Sequence, residues 1–342
     1  MFDHLRSVGA GPGRFGVLQK FLFSFGLIAF GLSLGYMIQK ACSRDLIRLP
    51  MEVEQLRKLL QKVALLLVNP ITVVGAIWIV DIKGLSLAVL PAFGTGAILL
   101  GGALALGASK IMHLESRQTG AFFACGSFTN IGSIGALICF MFLGEKGFAL
   151  VPIYKLFEEG TYYGIGFPVA RYYSDGHRAG ETPWQRVRGM AGDPFIVVAL
   201  SAIILGGVLN ASGLRRPAVF HSLNSVLIPT GATLLLISIG LAMKFKRVKH
   251  YLRECLAVSS IKFLLVPLTV SSAAYCIGLG GVEGGLPLKV VIILSAMPVA
   301  FNALIPPSIY DLDLDLANSC WLFTTSALVV VLPTLLFVVK SF

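Results

Sequence analysis

The sequence predicts an all-α integral membrane protein. Ten transmembrane helices are expected, as two inverted five-helix repeats with crossed, broken helices 4 and 9. Three observations carry that expectation. Of 342 residues, 56% are hydrophobic and only 13% charged, about half the charged share of a soluble domain. The apolar runs are continuous over the length of a spanning helix instead of alternating, which argues against a β-barrel. Two of these runs also carry glycine, proline and amide residues at mid-depth, at corresponding places in the two halves.

Taken in order, the first span covers 17–39. It is long enough to cross and lacks a small-residue cleavage site, so it reads as a retained helix and not a signal peptide. Residues 51–62 read as a short amphipathic helix at the inner surface. The second span, 62–80, carries Asn69-Pro70, and the third, 85–107, is free of charge. The fourth is 121–143, and the fifth, 147–169, holds Lys155, Glu158 and Glu159. A polar stretch at 171–192 separates a first repeat, 1–170, from a second, 193–342. The sixth span is 194–214, and the seventh, 221–243, contains Pro229-Thr230-Gly231. The eighth, 255–279, contains Lys262 and Pro267; the ninth is 286–309 and the tenth 316–339. Five spans per half is an odd number, so the second half must enter from the opposite side, which makes the repeat inverted.

The net charge of +11 suits nucleic acid in a soluble chain. Here the positive-inside bias explains it better, and no nucleic-acid partner is expected. On this topology 17 of the 28 Lys and Arg residues fall in the connections on one side and 9 on the other, with Lys155 and Lys262 inside spans. Both termini are therefore expected outside the plasma (inner) membrane and the 171–192 linker in the cytoplasm. The basic run at 244–253 holds five of the 17 and reads as a topogenic loop or an anionic-lipid contact.

Enzyme chemistry finds no footing. The chain has no metalloprotease HExxH, nucleophile elbow, Walker A or dinucleotide fingerprint. Its six cysteines show no CxxC spacing and read as small buried hydrophobes. Its five histidines lie in or near loops without ligand spacing. No cofactor or metal is expected beyond a coupling Na+ or H+, and a primary pump is excluded for want of a nucleotide site.

The intramembrane polar groups remain. Between 126 and 135 the fourth span has Gly126, Gly132 and Gly135 among Ser127, Thr129, Asn130 and Ser133. Its counterpart at 294–308 has Pro298, Phe301 and Asn302. Pro298 opens its helix by lacking an N–H, and the glycines are expected to open theirs through permissive backbone angles. Each break exposes the N-terminus of a half-helix, which attracts an anion. The expected substrate-binding set is Ser127, Thr129, Asn130, Gly132, Pro298, Phe301 and Asn302. The alternative is a pair of kinked helices whose asparagines bond to neighbouring backbone.

A charge at mid-membrane costs about 2.5–3.5 kcal/mol. Lys155 reaches Glu158 at i, i+3 and Glu159 at i, i+4 on one helical face. That cluster is either a self-neutralised ion-pair patch or, with one acid unmatched, a proton or cation coupling site. Lys262 has no partner within a turn; it either snorkels to the cytoplasmic edge or attracts an anion. Asn69-Pro70, Pro229 and Pro267 read as structural kinks.

Several segments resemble the auxin efflux carrier (PIN-like) family of membrane transporters. They are Ser238-Ile239-Gly240-Leu241-Ala242, Ile261-Lys262-Phe263-Leu264-Leu265-Val266-Pro267, the stretch from Ala296 to Leu304, Tyr310-Asp311-Leu312-Asp313, Asn130-Ile131-Gly132-Ser133-Ile134-Gly135 and Phe142-Leu143-Gly144-Glu145-Lys146-Gly147. The resemblance implies a ten-helix inverted repeat with a scaffold and a transport domain, shared with sodium–bile acid symporters and often dimeric. It also implies export of a small organic anion. The Lys155, Glu158 and Glu159 cluster has no counterpart in it. A cation-coupled symporter and a ligand sensor are the other readings of the same residues.

Overall fold

The computed structural model describes residues 17–47, 49–80, 88–174, 194–243 and 249–341. Most of the 171–192 linker and the first half of the 244–253 basic run lie outside them. In chain order the helices are α1 Val17–Ser43, α2 Val53–Ile77, α3 Leu90–Ile111, α4 Ser116–Ser127, α5 Ala136–Tyr154, α6 Glu158–Thr161, α7 Phe167–Tyr172, α8 Pro194–Ala211, α9 Val219–Gly240, α10 Leu252–Cys276, α11 Leu286–Ser295, α12 Ile305–Ile309 and α13 Leu314–Ser341. Among the described residues there is no β-strand beyond one isolated bridge. Seven helical runs there are long and apolar enough to cross a membrane, the longest being Ile131–Tyr172.

One expectation about the elements changes. Residues 51–62 are not a separate surface helix. Val53–Lys62 is the first part of α2 and runs on into the apolar part without interruption. Its start is set by Glu52, whose N–H donates to Gln55 Oε1 at 3.3 Å, one arm of a capping box. The run labelled α5 is two helices parted by a kink at Gly144, whose φ of 75° and ψ of −164° are non-helical and suit only glycine, in keeping with a fourth span that ends at 143 and a separate fifth.

Three π-helical turns share one cause. Val63–Val68, Tyr162–Gly166 and Ile261–Leu265 immediately precede Asn69-Pro70, Phe167-Pro168 and Val266-Pro267. A proline lacks the N–H for the helical ladder, and its ring clashes with the carbonyl four residues back, so the turn before it widens. At Pro229 no such widening occurs and α9 runs on as α-helix, with Thr233 Oγ1 donating to the Pro229 carbonyl at 2.8 Å.

The chain divides into two compact units, each drawing on segments from both sides of the linker. One comprises Met1–Ile82, Ala136–Pro152 and Val197–Ala242; the other comprises Lys83–Gly135, Ile153–Ile196 and Met243–Phe342. In the first unit α9 packs against α1 and α2. Gly35 and Gly240 lie at the α1–α9 crossing, where a Cβ on either would strike the other helix's backbone. Small residues are what permit such close approach within a membrane. The unit's polar centre is Glu145, whose side chain is 9% exposed and receives Arg216 through two guanidinium nitrogens and the Asn224 amide, with His221 Nδ1 at 3.4 Å. Arg216 also donates to the Gly75 carbonyl at 2.8 Å, and Asn210 Nδ2 serves the carbonyls of Ile77, Trp78 and Val80. The C-terminal end of α2, which has no further helical turn to bond to, is thereby satisfied.

In the second unit α3 lies along α4, and α10 and α13 pack on each other and on α4. Its core includes Phe122, Phe128, Leu294, Met297 and Trp321, all fully buried.

Replacing Arg216 by Met leaves the Glu145 carboxylate buried without its cation. Breaking a buried pair from one side is strongly destabilising, so a loss of about 3 kcal/mol is expected. Thermal unfolding of the detergent-solubilised protein measures it; an unchanged midpoint contradicts the assignment.

Candidate functional site

Within the second unit α4 ends at Ser127, and the chain turns extended at Phe128, with φ −80° and ψ 126°. α11 ends at Ser295, and Ala300 is again extended, with φ −71° and ψ 150°. The residues at these points suit that conformation. Phe128, Thr129 and Val299 are aromatic or β-branched, and Pro298 forbids a continuing helical bond.

The two extended stretches meet as an antiparallel bridge, Thr129 opposite Val299. Asn130 N–H donates to the Pro298 carbonyl at 2.9 Å and Ala300 N–H to the Phe128 carbonyl at 3.1 Å. In such a pairing the N–H groups of the two opposed residues point away from the partner strand. Both find side chains. Thr129 N–H donates to the Tyr162 hydroxyl at 3.0 Å, and Val299 N–H to Thr324 Oγ1 at 3.2 Å. The Ser127 carbonyl, freed at the end of α4, accepts Lys262 Nζ at 3.3 Å. These bonds answer the backbone groups freed at Ser127 to Asn130 and at Pro298 to Ala300 that face the crossing, which is what a break inside a membrane protein requires.

The glycines therefore act differently from expectation. Gly126, Gly132 and Gly135 do not adopt positive φ. Gly126 is a packing residue, since a Cβ there would press on the backbone of Gly101 and on Ala105. The unwinding lies at Phe128–Asn130 and is held by hydrogen bonds to the other strand.

Around the crossing a polar chain runs through the unit. Lys155 Nζ sits 2.9 Å from Glu158 Oε2. The Tyr162 hydroxyl donates to Glu158 Oε1 at 3.0 Å while accepting Thr129 N–H. Lys262 Nζ donates to Thr129 Oγ1 at 2.6 Å. Glu158 and Lys262 are both buried. Lys262 thus does not reach the membrane edge; its ammonium lies at the negative, carbonyl end of α4. Glu159, on the same turn as Glu158, is half-buried.

On the other side of the break, Asn130 Oδ1 accepts the Ser133 hydroxyl and, at 3.3 Å, the Ile134 N–H. Asn130 is thus an N-cap for the half-helix beginning at Ile131. The N–H groups of Gly132 and Ser133 have no hydrogen-bond partner among the described residues, and neither has Asn130 Nδ2. Asn302 is exposed at the start of the second half-helix, and Phe301 meets Trp321 edge-on at 5.7 Å. Of the residues singled out from sequence, Ser127, Thr129, Asn130, Gly132, Pro298, Phe301, Asn302, Lys155, Glu158, Glu159 and Lys262 all belong to this unit. Pro267 does as well, whereas Asn69, Pro70 and Pro229 belong to the other.

Two members were not foreseen. Tyr162 stacks on Phe128 with ring centroids 4.0 Å apart and carries the hydroxyl linking Glu158 to Thr129. Its spacing of i, i+4 from Glu158 was the available signal. Thr324 sits within an ordinary apolar helix and offered none.

No family model matches the chain. It is 23% identical over 275 residues to an uncharacterized transporter of Methanothermobacter thermautotrophicus, covering 80% of this chain and 86% of that one. It is 26% identical over 231 residues to an uncharacterized transporter of Methanocaldococcus jannaschii, covering 65% of this chain and 69% of that one. Similarity to two proteins named as transporters, together with the apolar helices, accords with a multi-pass membrane protein that is not an enzyme.

Tyr162→Phe and Thr324→Val each orphan one buried N–H of the crossing. Each is expected to cost about 1–3 kcal/mol in thermal unfolding, the penalty of an unsatisfied buried donor. A midpoint equal to wild type in both would mean that the crossing does not depend on these hydroxyls.

Proposed function

We propose that this protein is a secondary carrier that exports a small organic-acid anion, with the anion's carboxylate held at the crossing of the two broken helices. The observation that carries the reading is the start of the half-helix at Ile131, where the N–H groups of Gly132 and Ser133 and the Asn130 amide nitrogen have no partner among the described residues. Helix N-termini carry partial positive charge and favour anions. Crossed, discontinuous helices are the binding architecture of many carriers. Asn302 at the other half-helix supplies the matching amide. Similarity to two proteins named as transporters supports the carrier reading.

On this reading the chain is a ten-helix inverted repeat of the auxin efflux carrier type, a fold shared with sodium–bile acid symporters. Ile131–Tyr172 counts as two crossings, because its 42 residues would reach about 60 Å as one straight helix, twice the thickness of the bilayer's apolar core. The repeats are 1–170 and 193–342, and the linker between them is cytoplasmic. The compact unit holding the crossing acts as the transport domain and the other unit as the scaffold. The protein lies in the plasma (inner) membrane with both termini outside, and works as a monomer or homodimer without a cofactor.

Export needs no coupling ion. An inside-negative potential expels an anion with about 2.3 kcal/mol per charge per 100 mV, roughly a 50-fold gradient for a monoanion. A second reading, proton- or sodium-coupled symport, is favoured by one observation, the buried Glu158 beside the crossing.

Counterflow in proteoliposomes tests the proposal. Flux of a labelled carboxylate is expected to rise with an imposed potential, and Asn130→Ala with Asn302→Ala to reduce it by about tenfold or more. Absence of potential-dependent flux for every carboxylate offered removes the reading. Flux that follows a sodium or proton gradient, and loses that dependence on neutralising Glu158, selects the symporter.

A further inference from the structure

We propose that Lys155 is the side chain that takes the substrate's carboxylate, and that Glu158 stands in for that carboxylate while the site is empty. The proposal rests on the carrier reading and adds what it lacks, a countercharge and an internal competitor.

The ion pair is unequal. Glu158 is the fixed end. Its side chain is 6% exposed, and Oε1 is held by the Tyr162 hydroxyl, itself tied to the crossing by Thr129 N–H. Its Oε2 is buried with no hydrogen bond of its own and has only the lysine's charge beside it. Lys155 is the open end, with its side chain 33% exposed.

The ammonium also lies where the free donors are. A Cβ built on Gly132 would come 3.3 Å from Lys155 Nζ and near no other atom. Gly132 itself is exposed. Lys155 therefore covers the open side of the first turn of the half-helix, where the N–H groups of Gly132 and Ser133 have no partner among the described residues. Asn130 is only 6% exposed. Its Oδ1 is engaged with that same turn, so Nδ2, on the same planar amide, lies at the turn as well. A carboxylate placed there meets two backbone N–H groups, an amide NH2 and an ammonium, enough for both oxygens.

The electrostatics require an occupant. An ammonium at the positive end of a half-helix is repelled by it unless an anion lies between them. Glu158, with Glu159 on the same turn adding its charge, neutralises Lys155, but no bond from either acid to the backbone donors of Gly132 and Ser133 is seen among the described residues. A substrate carboxylate serves both, and so displaces Glu158 from Lys155. Lys262 takes no part, being committed to Ser127 and Thr129.

Labelled acetate, benzoate and succinate serve as probes, in thermal-shift binding and in counterflow. Glu158→Gln removes the competitor, so half-saturation for the bound probe is expected to fall by about threefold. Lys155→Met combined with Glu158→Gln removes both members of the ion pair together, so neither is left facing a vacant partner. It is expected to keep the wild-type unfolding midpoint without ligand while half-saturation rises by about tenfold. Gly132→Ala puts a methyl group 3.3 Å from Lys155 Nζ, between it and the open turn, and is expected to act in the same direction. The proposal is overturned if the double variant saturates as wild type does and Glu158→Gln fails to tighten binding, for the pair is then structural. If the double variant does not fold, unchanged half-saturation in Gly132→Ala overturns it. Failure of the wild-type protein to bind or move any of the three probes removes the carrier reading itself, a distinct outcome.

Discussion

The second unit depends on one constraint: backbone unwound in an apolar interior must still have every N–H and C=O bonded. Two chain segments, 128–130 and 298–300, leave their helices at the same place and answer each other through two hydrogen bonds. The exchange is incomplete by geometry, because the opposed residues Thr129 and Val299 direct their own N–H groups outward. Tyr162 and Thr324 are thereby drawn in, and Lys262 closes the end of α4. Five parts of the chain are thereby tied to one crossing.

The charges around the crossing are arranged asymmetrically. Lys262 lies at the carbonyl end of α4, where the helix dipole favours a cation. Lys155 lies at the N–H end of the following half-helix, where the dipole opposes one. The first arrangement is complete in itself. In the second, Glu158 pairs with the ammonium and Glu159 adds its charge, while two backbone donors of the turn have no partner among the described residues.

A comparison with Glu145 in the other unit sharpens this contrast. Glu145 is saturated by Arg216 and Asn224 and approached by His221, and Arg216 is further tied to the backbone at Gly75. Such a carboxylate has no reason to change partners. Glu158 has one oxygen fixed by a hydroxyl and one held only by a half-buried lysine. Both are largely covered acids in helical runs with a cation nearby; the difference lies in how many donors surround each.

Much of the architecture was legible in the amino-acid order. Continuous apolar runs and sparse charge set a helical membrane protein, because only helices and closed barrels satisfy backbone in lipid. Pro298 and the polar run around Asn130 marked both breaks, and the i, i+3 spacing of Lys155 and Glu158 marked their pairing. Three matters were decided by the tertiary structure alone. The fourth span unwinds at Phe128–Asn130 and not through glycine angles, because hydrogen bonds from a strand some 170 residues away hold it extended. Lys262 turned inward because the end of α4 offered it a carbonyl and a hydroxyl, partners that no local spacing encodes. Tyr162 and Thr324 entered because the orphan donors of a crossing exist only once the strands have crossed. Periodicity records which face of a helix is apolar; it does not record which backbone groups a distant segment leaves unsatisfied.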